Sequence, residues 1–316
     1  MQDGTGTVTI AASKNLYGYV WRNSAPQQFV VCAVALVTLP LTLAPIELQR
    51  RIIDDAVDEK NINLLFTLIA VYAVIVALQQ IVKYSYNYLG ARLSARLIRG
   101  LREKIFEELT DDAAMQSSED GAVVSMLTAE VVPIGGFGGS AFALLITEGG
   151  VLLSVMGYML YTQLDLAIIA ILTFIPQAIA TPMVQKHINQ QSAEQIGLVR
   201  SVGDDALTEK QDHPNGRKGA KRRIGLIYLN RLVINRLKFS LKAILNVFDH
   251  LADLAVLGFG GYLVIVGQTD VGVVVAFLSG LNTLRSPWRT LISYFRLVSD
   301  ATLRFKLLSD KVPGLD

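Results

Sequence analysis

Cysteine is nearly absent: Cys32 stands alone among 316 residues, inside an apolar run. A lone thiol excludes a disulfide framework and a cysteine-built metal site. Charge is also scarce. Asp, Glu, Lys and Arg make up 18% of the chain and hydrophobic residues 52%, whereas soluble domains carry about 25% charged residues. The net charge of +2 is too small to point to nucleic acid as a partner. No Gly-x-x-x-x-Gly-Lys-Ser/Thr loop occurs, so nothing here can cradle nucleotide phosphates in that way. Gly135-Gly136-Phe137-Gly138-Gly139-Ser140 has the glycines but no lysine, and it opens an apolar run instead of following a strand. Close helix packing, or a hinge, is its expected use. The first 25 residues hold only Lys14 and Arg22 as basic groups and show no cleavage pattern of a secretory signal.

What the chain does have is long apolar runs. Crossing about 30 Å of hydrocarbon takes roughly 20 apolar residues as a helix. Residues 29–46 and 61–82 carry no charge, 131–164 carry only Glu148, and 166–185 carry none. The stretch 243–269 is interrupted by Asp249, His250 and Asp253, and 271–284 is uncharged before a helix-compatible pattern continues through Arg285 and Arg289. None alternates with period 2, and lipid demands that backbone groups be satisfied internally, so helices are expected. The fold class is therefore all-α: an integral membrane protein with six spans, at about 28–46, 62–82, 138–162, 165–185, 243–266 and 271–293.

The connections alternate in length. About 15 residues join the first two spans, and short turns at Thr162-Gln163-Leu164-Asp165 and Gly267-Gln268-Thr269-Asp270 join the third to the fourth and the fifth to the sixth. Residues 83–130 and 186–242 form the two long connections. Of the 29 basic residues, 26 lie before the first span, in the long connections or after Leu284; Arg50, Arg51 and Lys60 lie in the first short loop. The positive-inside rule places both termini and both long connections in the cytoplasm. The long connections read as helix. Leu89, Leu93, Leu97 and Leu101 recur at i+4 with Arg92, Arg96 and Arg99 between them. Twenty-eight uninterrupted residues (83–110) would reach roughly 40 Å past the membrane. Residues 186–209 and 222–242 read likewise. Reversals are expected at 111–121 and at Asp212-His213-Pro214-Asn215-Gly216.

Cytoplasmic helical hairpins on a six-span core resemble the transmembrane domain of exporter-type ATP-binding-cassette transporters. Ile52-Ile53-Asp54-Asp55-Ala56 looks like that family's "IID" segment. Leu101-Arg102, Ile105-Phe106, Gly121 and Leu127 are similar to its second span and first coupling loop. Tyr262-Leu263-Val264, Val266-Gly267-Gln268, Gly272 and Ala276-Phe277-Leu278 resemble its turn into the sixth span. Ser286-Pro287, Tyr294 and Leu307-Leu308 are like that span and its exit toward the ATPase. The resemblance runs from about Leu16 to Leu308. Family members commonly continue into a nucleotide-binding domain of over 200 residues, whereas this sequence stops at Asp316.

The resemblance implies a membrane subunit that forms a translocation pathway. It implies that the chain is not itself an enzyme and holds no cofactor, ATP and Mg being bound on a partner ABC ATPase domain or subunit. A second transmembrane domain, in a homo- or heterodimer, membrane lipid and a bacterial inner (plasma) membrane complete the picture. Coupling to the ATPase is expected through Ala114, Met115, Gln116, Ser117, Ser118 and Glu119 and through His213, Pro214, Asn215 and Gly216. Ionisable groups inside spans are costly and mark cavities or partners. Glu148, Asp249, His250 and Asp253 are thus candidates to line the cavity, Asp249 and Asp253 sharing a face at i+4. An ion-coupled carrier or channel using Asp249, His250 and Asp253 is the alternative. A metal site there is not expected, since consecutive positions splay apart around a helix. Domain boundaries are expected at 1–26 (a cytoplasmic segment with an interfacial helix over 14–23, rich in Tyr and Trp), 27–308 and 309–316.

Overall fold

The computed structural model describes residues 9–111, 131–208 and 214–309; side chains at 9–15, 108–111 and 203–220, with a few elsewhere, lie outside the description. Every regular element among the described residues is helical: α1 (Thr9–Arg51), α2 (Ile62–Asp111), α3 (Val131–Leu144), α4 (Gly150–Thr162), α5 (Leu164–Thr208), α6 (Pro214–Ile265) and α7 (Val271–Ser309). π-Helical turns at Ile52–Val57 and Leu145–Gly149 end α1 and join α3 to α4. The second adjoins the pair Gly149-Gly150, where helix propensity is low enough to admit the extra residue of a π-bulge.

Among the described residues, five stretches are long and apolar enough to cross a membrane: Leu16–Val57, Ile62–Glu107, Val131–Thr162, Leu164–Val199 and Lys221–Ile265. Their surfaces are lipid-like. Phe66, Val74 and Ile81 on α2 are each more than 60% exposed, which water would penalise and acyl chains do not. α7 is long, but its apolar run ends at Leu284. The expected hairpin arms are present. α2 has 50 residues and α6 has 52, about 75 Å each at 1.5 Å per residue and well over twice the hydrocarbon thickness.

The first helix corrects one expectation. Residues 14–23 form no helix of their own but the first part of α1. α1 runs on through Pro26, Pro40 and Pro45. Leu16 and Val20 are buried in a protein core. They pack with Leu93, Leu97, Leu101 and Ile105 of α2, Ile134 and Phe137 of α3, and Phe305 and Leu308 of α7.

The chain divides into two compact units: Met1–Thr162 with Asp270–Asp316, and Gln163–Thr269. In the first, α3 lies against α2 so closely that glycine is required. A Cβ on Gly139 would sit 2.5 Å from the Gly90 carbonyl oxygen and 2.9 Å from the Ser94 amide nitrogen. Gly135, Gly138 and Gly139 thus serve close packing, as expected. Gln28 Nε2, buried, donates to the Gly138 carbonyl at 2.6 Å, and the Tyr294 hydroxyl of α7 donates to the Ala141 carbonyl at 3.0 Å. The Tyr17 and Tyr294 hydroxyls lie 2.8 Å apart.

The second unit is the antiparallel pair α5–α6, held by apolar seams and by polar ties. Gln177 Nε2 donates to Asp249 Oδ1 at 3.2 Å, and Asn230 Nδ2 donates to Gln191 Oε1 at 3.1 Å. α6 ends in a Schellman motif: Gly267 N–H bonds the Val264 carbonyl, Gln268 N–H bonds that of Leu263, and Gly267 takes φ +72°.

Candidate functional site

Polar groups inside membrane-length helices are where function is to be sought, since lipid tolerates them only when paired or cavity-facing. The two units hold different sets.

In the first unit the end of α1 opposite its N-terminus carries a closed polar cluster. Glu47 has both carboxylate oxygens doubly engaged. Its Oε1 accepts from Arg50 Nη2 at 2.7 Å and Arg51 Nε at 2.8 Å, and its Oε2 accepts from Arg50 Nε at 2.9 Å and the Tyr158 hydroxyl at 2.8 Å. The Arg50 contact is the two-pronged kind that holds both groups in one plane. The Tyr158 bond ties α1 to α4 across 111 positions.

Further along, Asp54 Oδ1 accepts from the Gly272 amide at 2.7 Å. That amide is among the first N–H groups of α7, which have no partner within their own helix. A carboxylate there meets both the unpaired donor and the positive end of the helix dipole. Gly272 allows the approach, because a Cβ would lie 2.5 Å from the Arg50 carbonyl and from the Asp54 carboxylate. The ends of α1, α4 and α7 are thus gathered at one place. The other oxygen, Asp54 Oδ2, is buried without a hydrogen-bond partner. Nearby, Gln49 Nε2 donates to the Tyr72 hydroxyl of α2 at 3.2 Å.

Glu148 sits in the π-turn, half-buried. It is not isolated: Lys83 of α2 is near enough for its charge to act on the carboxylate. Thr147 Oγ1 beside it is buried.

In the second unit Asp249 is 7% exposed and held by Gln177, while Asp253 is half-buried one turn on and His250 is exposed. The three do not converge. Among the described residues no group of three His, Cys, Asp or Glu side chains could hold a metal ion. The arrangement orders helices and offers polar contacts.

Of the coupling candidates, Ala114, Met115, Gln116, Ser117, Ser118, Glu119 and His213 lie outside the described residues. Pro214, Asn215 and Gly216 form the first turn of α6 instead of a reversal. Proline suits the first helical position, where its missing N–H costs nothing. Sequence reasoning noticed Asp54 and Gly272 separately but did not pair them. It missed the Glu47 cluster, although Glu47 with Arg50 and Arg51 at i+3 and i+4 carries the signal of a helical ion pair.

Comparison with known proteins fits this architecture. The family described as the ABC transporter transmembrane region matches residues 29–200. In Bacillus subtilis (strain 168), the uncharacterized ABC transporter ATP-binding protein YknU is 25% identical over 314 residues, covering 94% of this chain and 52% of its own length. YgaD of the same strain, named for multidrug export as an ATP-binding/permease protein, is 23% identical over 296 residues, covering 84% of this chain and 49% of its own length. The chain spans about half the length of the curated relatives it matches.

Proposed function

Because the chain belongs to the ABC transporter transmembrane-region family, we propose that it is the membrane-spanning part of an ATP-driven exporter, with ATP hydrolysed on nucleotide-binding domains outside these 316 residues. The observation that carries this reading is the match over residues 29–200, from α1 to α5. Relatives about twice as long, named as ATP-binding, support it.

Six spans are supported by the course of α7. It begins against Asp54 near one end of α1 and reaches Tyr17 and Tyr19 near the other through Tyr294 and Phe305. A helix that accompanies a membrane-crossing helix from end to end crosses with it. The charge bias supports a cytoplasmic position for both termini and both long connections, and the bacterial relatives favour a bacterial plasma membrane. Residues 83–111 of α2, 186–208 of α5 and 214–242 of α6 then project as levers. The segments Ala114 to Glu119 and His213 to Gly216 form their tips, against which a nucleotide-binding domain docks. Two such transmembrane domains enclose the pathway. Glu148, Asp249 and Asp253 supply its polar lining, which differential contacts in two states would need.

The test is replacement of Met115, Gln116, Ser117 and Ser118 by Gly/Ser in protein reconstituted with its nucleotide-binding partner. Expression and membrane insertion should persist while ATP-dependent transport stops, because a tip makes few core contacts and its loss costs on the order of ±0.5 kcal/mol. Transport at the original rate would remove this segment from the coupling path.

A further inference from the structure

Two adjoining cavities of about 260 and 210 Å³ run along the seam between α1 and α2 in the first unit, sharing Gln27, Leu93 and Arg96 in their walls. Their linings differ in character. One end is apolar, with Pro26, Val30, Val31 and Leu89; the other is polar, with Tyr19, Asn23, Gln27 and Lys104. Arg92 and Arg96 stand beside the join.

The cations are available. Arg92, Arg96 and Lys104 are exposed, and among the described residues neither Arg92 nor Arg96 has a hydrogen-bond or ion-pair partner. By contrast Arg99, on the same helix but outside the groove, is committed to Glu103 at 2.7 Å. Lys104 Nζ lies 5.8 Å from the centre of the Tyr19 ring, so it too is held over the polar end. Gln27 Oε1 is buried with no hydrogen-bond partner.

Depth identifies the ligand. Tyr84 and Tyr88 on α2 are 70% and 57% exposed with stacked rings, and Trp21 and Phe29 on α1 pair their rings 5.3 Å apart. Exposed Tyr and Trp mark the boundary between hydrocarbon and headgroups. Arg92 and Arg96 follow Tyr88 by one and two turns, about 6 and 12 Å along the axis. Side chains on a helix lean toward its N-terminus, which for α2 is back toward the membrane. Both guanidinium groups therefore reach into the headgroup layer, while Val30, Val31 and Leu89 lie on its hydrocarbon side.

We infer that this groove is a binding site for an anionic glycerophospholipid. Its phosphate is held by Arg92 and Arg96 with Lys104 nearby, its polar headgroup faces Gln27 and Asn23, and the start of an acyl chain lies on Val30, Val31 and Leu89. Basic pockets between spans at the membrane surface have this chemistry, and guanidinium groups favour phosphate by matching its geometry. The site sits on a seam of the membrane domain, distinct from the polar cluster at Glu47 and from the α5–α6 pair.

The experiment is native mass spectrometry of delipidated protein titrated with phosphatidylglycerol or phosphatidylcholine, with monodisperse elution and helical circular dichroism as folding checks. In the unaltered protein, phosphatidylglycerol should bind at least tenfold more tightly than phosphatidylcholine and resist competition by millimolar inorganic phosphate. Arg92→Ala with Arg96→Ala should abolish the preference, Arg96→Lys should retain part of it, and Arg99→Ala should leave it intact. Equal binding of the two lipids by the unaltered protein overturns the site even if the double variant fails to fold. So does an equal loss in Arg99→Ala, which would mean diffuse surface charge, or displacement by phosphate, which would mean a free-anion site. A second copy of the chain covering the groove would appear as dimer masses that exclude lipid, and that result would overturn the site as well.

Discussion

The packing of α3 on α2 makes a prediction whose sign changes within one turn of one helix. Gly136 and Gly139 share the same apolar helix, so replacing either by alanine gains the same backbone term, about 0.5–1 kcal/mol for Gly→Ala in a helix interior. Their surroundings differ. A Cβ at 136 meets nothing within 4 Å, whereas one at 139 falls 2.5 Å from the Gly90 carbonyl oxygen, 2.7 Å from Ser94 Cβ and 2.9 Å from the Ser94 nitrogen. Two of those three atoms are backbone, so relief requires α2 and α3 to separate. Overpacking costs typically about 1–3 kcal/mol. Gly136→Ala should therefore stabilise by up to about 1 kcal/mol and Gly139→Ala should destabilise by about 1–2 kcal/mol net.

Gly138→Ala should fall between them, because its Cβ meets Leu97 Cδ1, the movable end of a side chain, and Val20 Cγ2 at 3.3 Å. Thermal unfolding in detergent reads the order directly, at roughly 2 °C per kcal/mol for a chain of this length. If Gly139→Ala melted at or above Gly136→Ala, the close approach at Gly90 would be wrong.

Three further outcomes follow from particular contacts. Asp54→Ala removes the charged acceptor at Gly272 N and should cost about 1–2 kcal/mol, measured as the unfolding midpoint, whereas Asp55→Ala, exposed beside it, should cost little. A double-mutant cycle on Gln177→Leu and Asp249→Leu should give a coupling near about 0.6 kcal/mol, the average for polar pairs between membrane helices; a coupling of zero by denaturant unfolding would mean that this bond does not hold α5 to α6. On a Cys32→Ser background, Asp58→Cys should react with an impermeant thiol reagent from outside intact cells and Asn215→Cys should not, the reverse pattern overturning the cytoplasmic placement of the long connections.

Local physics carried much of the architecture. Charge-free runs near 20 residues meet the length a bilayer demands, and Leu89, Leu93, Leu97 and Leu101 at i+4 announced the buried face of α2 before any neighbour was known. Glycines at 135–139 without a lysine pointed to close packing rather than phosphate binding. Composition therefore determined an all-helical membrane protein and much of its helix order by itself. It misjudged one boundary: residues 14–23 looked like a helix of their own. Yet α1 continues because Leu16 and Val20 find a core on α2 and α3.

Only the tertiary structure decided the partners of the polar groups, because a hydrogen bond depends on which helix ends meet and not on spacing along one helix. Glu47 meets Tyr158 across 111 positions, Asp54 meets Gly272 across 218, and the hydroxyls of Tyr17 and Tyr294 meet across 277. Asp249 and His250 are neighbours in sequence, yet packing buries the first and exposes the second, since about 100° of rotation per residue turns adjacent side chains to different surroundings.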